Sequence, residues 1–408
     1  MTPPEESHRS LSKPVRLRLT AAAESRVRSG HPWVFGNSVT EVKGDAVSGS
    51  LAVMFDRKND FLAIGLYDAL SPIRCRVLSV GKRVLIDRAF WLSRIREAFE
   101  RRANIASPRT TGLRWIHGEN DGMPGLVLDA YGSCGVVKLY TPAWLPHLSD
   151  VFDGIKAQFG FERLVLRLSR NLMTEASGRG WKDGTAVWGE LPPSPVVFSE
   201  NGILFEADVV RGQKTGFFLD QRENRAWLET QTRDRTVLNA FSFSGGFSLY
   251  AARGGARSVC DLDISSHALR SSGRNFDLNR ADRAIDACVR QTVQADAFEW
   301  LKENRQQFDV VVVDPPSLAK REMERARAVE AYGRLIRSAC ERLSPGGLLL
   351  AASCSAHVNQ EEFFGVVLDT VKRRGDPWLE LRRSGHPADH PSSFPEAAYL
   401  KCIAVRVG

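Results

Sequence analysis

The sequence predicts an α/β chain whose second half is a mainly parallel, doubly wound sheet, preceded by a small β-rich domain and a mixed middle segment. Three observations carry that expectation. From about residue 198 onward, the strand-like runs TVLNAF, SVCDLD, VVVVD and GLLLAASCS are each followed by a helix-like stretch, as parallel strands joined by helical crossovers require. Residues from about 14 to 75 form short alternating segments instead, VRLRL, LAVMFD and FLAIGLYD, broken by glycine, Asn-Asp and Ser-Pro, which suits a small β-barrel-like unit. Between the two, the proline-rich segment GELPPSPVVFSENG reads as a boundary. The expected domains are therefore 14–75, 76–195 and 196–408.

The N-terminal stretch MTPPEESHRSLSKP has no apolar signal core. No apolar run approaches the roughly 20 residues that cross a bilayer, so a membrane partner is not expected. The seven cysteines are scattered without a C-x-x-C pair, the usage of reduced thiols in a cytoplasm, with no metal-ligand spacing. Charge is more telling. Residues 1–110 carry 19 Lys and Arg against 11 Asp and Glu, whereas residues 111–408 carry 37 of each. All the excess positive charge lies at the front, where a phosphate backbone is the usual partner. Arg16, Arg18, Arg26, Arg28 and His31 are the candidate phosphate contacts, while Trp33 and Phe35 read as core. In the middle segment a helix is expected around Arg88 to Arg102. Its Arg94, Arg96, Arg101 and Arg102 form either a second basic face or a solvated one. Strands are expected at GLVLDAY, GVVKLY and RLVLRL.

Doubly wound sheets bind ligands at the carboxyl ends of their strands, so those ends are read next. TVLNAF runs into FSFSGGFSLYAARGG, where Gly245 and Gly246 let a ligand approach the backbone. This is not the G-x-G-x-x-G of a pyrophosphate loop. Asp263 ends SVCDLD 18 residues after Gly245, where a carboxylate can accept from both hydroxyls of a ribose. Asp296 follows in VQADAF, placed to meet the exocyclic amine of an adenine. Asp314 closes the four-valine run and is followed by Pro315 and Pro316, which cannot continue a strand and hold the carboxylate on a stiff loop. Acids in this order without a pyrophosphate loop favour S-adenosylmethionine, an adenosine cofactor with no phosphate.

GQKTGFFLDQRENR, VLNAFSFSGGFSLYAARGGA, LDISSHAL, RNFDLN, VVVDPPS and SCS resemble the bacterial large-subunit ribosomal RNA cytosine-5 methyltransferase I family. HPWVF, DGMPGLVLDAYG and ADHP with YLKC extend the resemblance over nearly the whole chain. It implies a PUA-type RNA-binding β-barrel, a small α+β middle domain and a class I, Rossmann-like methyltransferase domain. It also implies ribosomal RNA, naked or in a partly assembled large subunit, as partner; a homodimer stays open. The cofactor residues it implies begin with Gln213, Lys214, Thr215, Phe218 and Asp220. Asn239, Phe241, Ser242, Gly245 and Gly246 follow, then Asp263, Ile264 and Asn279, and last Asp296, Ala297, Asp314 and Pro315.

The chemistry this family performs can be set against the residues. C5 of cytosine is too weak a nucleophile to take a methyl group until a thiolate adds to C6. Cys354, where GLLLAAS ends, is the candidate nucleophile, and Asp314 the acid that meets N3 of an extruded base. Cys260, Cys288, Cys340 and Cys402 read as small buried hydrophobes. Ser317 and Leu318 stand where some RNA cytosine-5 methyltransferases have a second cysteine, so the base that takes the C5 proton is not assigned; His357 is one candidate, a capping or surface histidine the other reading. Two alternatives remain at this stage. One is methylation of an exocyclic amine, against which Ser317 replaces the usual stacking aromatic. The other is a ribosome-assembly module that binds RNA without turnover.

Overall fold

A computed structural model describes residues 13–408. The chain forms two compact units. One comprises the described residues up to Ser107 with Thr111–Val196 and Ala207–Phe217; the other comprises Pro108–Thr110, Val197–Glu206 and Phe218–Gly408.

The first unit opens on Val15–Leu19, whose Val15, Leu17 and Leu19 are buried while Arg16 and Arg18 point outward, the period-two alternation of a half-buried strand. It pairs antiparallel with Val39–Lys43 and parallel with Leu51–Phe55 in a six-stranded sheet. The last strand of this sheet is Ile73–Val80, so a boundary at residue 75 would fall inside it. Phe61–Tyr67 is buried almost throughout because it is covered on both faces. Leu62, Ala63 and Tyr67 fill the barrel core, whereas Ile64 and Leu66 share a second core with Trp91, Trp115 and Trp144 of the middle segment. That segment adds helix Arg88–Glu100, capped by Asp87, and a five-stranded sheet. Arg102 is not part of a basic surface: it is wholly buried and paired with Asp121, which also holds Arg101.

In the second unit the strands of the seven-stranded sheet are β1 Thr236–Ala240, β2 Ser258–Asp263, β3 Val289–Gln294, β4 Phe308–Val313, β5 Leu343–Ser353, β6 Trp378–Ser384 and β7 Lys401–Val407. Their order is β3-β2-β1-β4-β5-β7-β6, with only β6 and β7 entering antiparallel neighbours. Val310–Val313 are at most 1% exposed, as expected of a central strand covered on both faces. Besides the helices Arg222–Glu229 and Arg283–Ala287, this unit has α1 Gly246–Arg253, α2 Ser266–Leu278, α3 Ala297–Glu303, α4 Arg325–Glu341 and α5 Gln360–Lys372. Ser265, Asp296 and Asn359 cap α2, α3 and α5 through side-chain oxygens, so the turns leaving β2, β3 and β5 are locally specified. The strand order reverses between β1 and β4, which sets the sheet's ligand-binding crevice at their carboxyl ends. No helix among the described residues is long and apolar enough to cross a membrane.

Candidate active site

The loop leaving β1 is wound through three left-handed residues, Phe241 (φ 61°), Phe243 (φ 47°) and Gly245 (φ 76°). Such backbone persists for a phenylalanine only where its surroundings over-determine it. Ser242 N–H donates to the Leu262 carbonyl (3.1 Å), and the Ser244 carbonyl accepts from Asn275 Nδ2 (2.9 Å). Phe243 N–H donates to Asp263 Oδ2 (2.9 Å), while Ser265 N–H donates to Oδ1 (2.8 Å). Glycine is obligatory at 245, because a Cβ there would lie 2.1 Å from Ser272 Oγ. Beneath the loop, Asp261 is buried and accepts from Ser248, Ser272 (2.6 Å) and Arg290 (3.4 Å). Loss of hydration pushes its carboxyl up.

These features fit an adenosine-bearing methyl donor. Each Asp263 oxygen spends one lone pair on the protein, which leaves capacity for two ribose hydroxyls. Ile264 beside it is 69% exposed, an apolar surface suited to one face of an adenine. Asp296 uses Oδ1 to cap α3, accepting from Phe298 N–H (2.8 Å) and Glu299 N–H (3.3 Å). Buried Ala297 begins that helix. Asn239 Oδ1, Ser242 Oγ and Ser244 Oγ are buried with no hydrogen-bond partner among the described residues, an uncommon concentration of unpaired polar atoms around one loop. Phe218 packs edge-on against Phe243 at 5.0 Å, and Asp220 accepts from Tyr399 OH (2.8 Å).

The loop leaving β4 faces the turn leaving β5. Asp314 is half-buried and accepts a hydrogen bond from Gln221 Nε2 at 3.0 Å. Gln221 is held in turn by Asn224 (2.6 Å), which Ser384 anchors (2.7 Å). Pro315 is buried, and its carbonyl lies 3.9 Å from Cys354 Sγ. Ser355 fixes the rest of the proline loop by accepting from Leu318 N–H (3.0 Å) and Ala319 N–H (3.3 Å). Its hydroxyl and that of Ser353 both bond Tyr332 OH, at 2.9 and 2.8 Å. Carboxylate and thiol are thus carried on neighbouring, cross-braced strand ends. Of the seven cysteines, Cys354 alone is not buried.

Several expected residues stand elsewhere. The Asn279 carboxamide is turned to the backbone, accepting from Leu204 N–H (2.9 Å) and donating to the Leu204 and Asn275 carbonyls (both 2.7 Å). It therefore pins strand Ile203–Ala207 to α2, and both amide protons are spent on the backbone. The Phe241 side chain packs against Phe298 and the sheet core, so only its backbone shapes the loop. Gln213, Lys214 and Thr215 belong to the first unit. Thr215 is buried there, donating to Asp129 (2.6 Å) and bonded to Tyr131 OH (2.9 Å), which makes it a structural hub. Gln213 and Lys214 are exposed. His357 lies 3.2 Å from Glu322 on the surface. Arg16 and Arg18 both reach Asn59, and Arg28 pairs with Asp56 of the same turn. Arg26 contacts His31 (2.7 Å). Three contributors were missed from sequence: Gln221, Tyr332 and Ser355. Gln221 lies within GQKTGFFLDQRENR and Ser355 within SCS; Tyr332 carries no spacing signal, since it acts through contacts remote along the chain.

Known proteins share this architecture. The model of the S-adenosylmethionine-dependent methyltransferase family matches residues 178–406, and that of the PUA-like domain matches residues 17–80. A ribosomal RNA large subunit methyltransferase of Deinococcus radiodurans is 51% identical over 401 residues, covering 96% of this chain and 97% of its own. Ribosomal RNA large subunit methyltransferase I of Pseudoalteromonas translucida is 35% identical over 395 residues, covering 95% and 98%. A solved methyltransferase structure complexed with SAH superposes with a TM-score of 0.81 at 22% identity, covering 96% of this chain and all of that one. At that identity the likeness speaks to the fold.

Proposed function

The chain belongs to the S-adenosylmethionine-dependent methyltransferase family, alongside the ribosomal RNA large subunit methyltransferases, and we propose that it methylates C5 of a cytosine in large-subunit ribosomal RNA through a covalent Cys354–C6 adduct. The observation that carries this reading is the placement of the one accessible thiol, Cys354, against the Pro315 carbonyl beside Asp314. The cofactor would supply a methyl group on a sulfonium sulfur, which keeps the electron pair of the S–CH3 bond and leaves as a neutral thioether. The Cys354 thiolate forms a bond to C6, and the C5–C6 electron pair moves toward N3. Asp314, oriented by Gln221, donates a proton to N3, which leaves C5 enamine-like and able to form its bond to the methyl carbon. A base then takes the C5 proton, the sulfur leaves C6 with its electron pair and N3 returns its proton to Asp314, restoring the aromatic ring, the free thiolate and the acid. His357, whose Nδ1 lies 3.2 Å from Glu322 Oε2, keeps its place as one candidate for that base.

The cofactor residues of this proposal are Phe218, Asp220, Asn239, Ser242, Gly245, Gly246, Asp263, Ile264, Asp296, Ala297 and Pro315. Arg16, Arg18, Arg26, Arg28 and His31 are the proposed phosphate contacts, of which Arg16, Arg18 and Arg28 reach the turn at 56–60. RNA containing 5-fluorocytidine tests the chemistry, because fluorine cannot leave C5 as a proton does. Wild type should form a denaturation-resistant RNA complex that Cys354→Ala does not. Methylation of ordinary RNA by the Cys354→Ala protein would replace this reading with transfer to an exocyclic amine.

A further inference from the structure

Lys401 is the only lysine among the described residues whose side chain is completely sealed, and removing an ammonium from water demands compensation. It opens β7, directly across the ladder from Ser353, the residue before Cys354. Its Nζ donates to the Ser355 carbonyl (2.6 Å), the Val358 carbonyl (2.7 Å) and the Tyr399 carbonyl (2.9 Å). All three ammonium protons are therefore used. Two of the three acceptors belong to the turn that begins immediately after Cys354. A buried point charge beneath a nucleophile's turn does what a neutral clamp could not.

We propose that Lys401 is a positioning residue for Cys354: its buried ammonium pins the 355–358 turn and supplies the positive charge against which the Cys354 thiolate forms. This rests on the reading of Cys354 as nucleophile. Charge near a thiol sets its thiolate fraction, and the surrounding groups give the field its sign. Asp314, on the loop after β4, acts against the thiolate. Tyr332, from α4, is kept protonated by burial and contributes no charge. Glu362, in the first turn of α5, is bonded to Arg325 and to Asn359 N–H, and His357 is exposed against Glu322. Lys401 supplies a positive charge at both ends of the turn that follows Cys354, through the Ser355 and Val358 carbonyls, and interacts electrostatically with the thiol. Burial pushes its ammonium down to about 8, while the negative charges available at Cys354 and Glu362 favour its protonated form, so the cation persists at neutral pH.

The test is the pH dependence of iodoacetamide alkylation of Cys354, followed by mass spectrometry of its peptide in the full-length protein without RNA or cofactor. Cys354→Ala supplies the background. Wild type should show a midpoint below the free-thiol value of about 8.5. Lys401→Met should raise it by about one unit, so that labelling at neutral pH slows about tenfold. If Lys401→Met fails to fold, as judged by circular dichroism, Lys401→Gln can still donate to two of the carbonyls while lacking the charge, and should show the same rise. A wild-type midpoint at or above about 8.5, or the same midpoint in a folded variant, overturns the proposal. The 5-fluorocytidine cross-link separates the two readings. A shifted midpoint without a cross-link supports the charge effect and removes the adduct, whereas a cross-link with an unshifted midpoint removes Lys401's electrostatic role alone.

Discussion

Six of the seven cysteines are buried, and loss of hydration disfavours their thiolates: Cys75, Cys260, Cys340 and Cys402 are pushed up to about 12, and Cys134 and Cys288 to about 11. At neutral pH those sulfurs are inert small hydrophobes. Brief labelling of the native protein should therefore modify Cys354 first, and a comparable early yield at any other cysteine would contradict the packing. Cys354→Ala should lower methyl transfer by about 10⁴-fold or more, as removal of a nucleophile does, while calorimetric S-adenosylmethionine affinity is retained. Asp314→Asn keeps the hydrogen-bonding shape but loses the proton for N3. It should cost about 10²–10⁴-fold in kcat and still yield some cross-link. Both residues were legible in the sequence because each ends an apolar run. Gln221, Tyr332 and Ser355 were not marked as parts of the same arrangement, because a glutamine, a tyrosine and a serine are common everywhere and only their contacts distinguish them.

At the scale of elements, the loop between β1 and α1 depends on the absence of one carbon atom. Gly245→Ala would place a methyl group 2.1 Å from Ser272 Oγ on a backbone with φ 76°. It should cost about 1–3 kcal/mol in thermal or denaturant unfolding and weaken cofactor binding; unchanged affinity would detach the loop from the cofactor site. The segment between β6 and β7 depends on a charge pair instead. Arg222 meets Asp389 through two hydrogen bonds (2.7 and 3.0 Å), both groups being buried, with His390 3.1 Å from the same carboxylate. Those partners hold the Asp389 carboxyl well below its usual range despite its burial. A depressed carboxylate contributes stability in full above its unfolded pKa of about 3.9. That contribution falls away as pH drops from there through the folded value. Asp389→Ala leaves Arg222 buried and unpaired, which should cost about 3–5 kcal/mol at neutral pH. In acid, as wild type loses the pair, the difference between the two proteins should shrink. Strands and caps here were readable from local pattern, but the Arg222–Asp389 partnership spans 167 residues, and neither GQKTGFFLDQRENR nor ADHP says that it pairs with the other.

For the whole molecule, the proposal that the basic front of the chain carries RNA has a measurable electrostatic signature. Replacing Arg16, Arg18 or Arg28 with alanine should flatten the dependence of log K on log salt by about 0.7 for each phosphate of single-stranded RNA that the arginine neutralised. The same variants should leave cofactor affinity untouched, and an unchanged slope would remove that arginine from the interface. The charge split between residues 1–110 and the rest, the alternating front segments and the strand–helix alternation at the back determined that a β-rich front precedes a doubly wound sheet, because side-chain periodicity follows backbone geometry. They also determined which strand ends bear acids. What only the tertiary structure decided was which polar groups are consumed by the fold. Arg102, Thr215 and Asn279 looked as available as Arg16 or Asp263, yet they are spent on Asp121, Asp129 and the backbone of Leu204. Lys401, unremarkable in the stretch YLKC, is sealed beneath the turn that follows Cys354. A linear pattern records which face a residue takes, whereas a hydrogen-bond partner is chosen in three dimensions by whichever buried group would otherwise go unsatisfied.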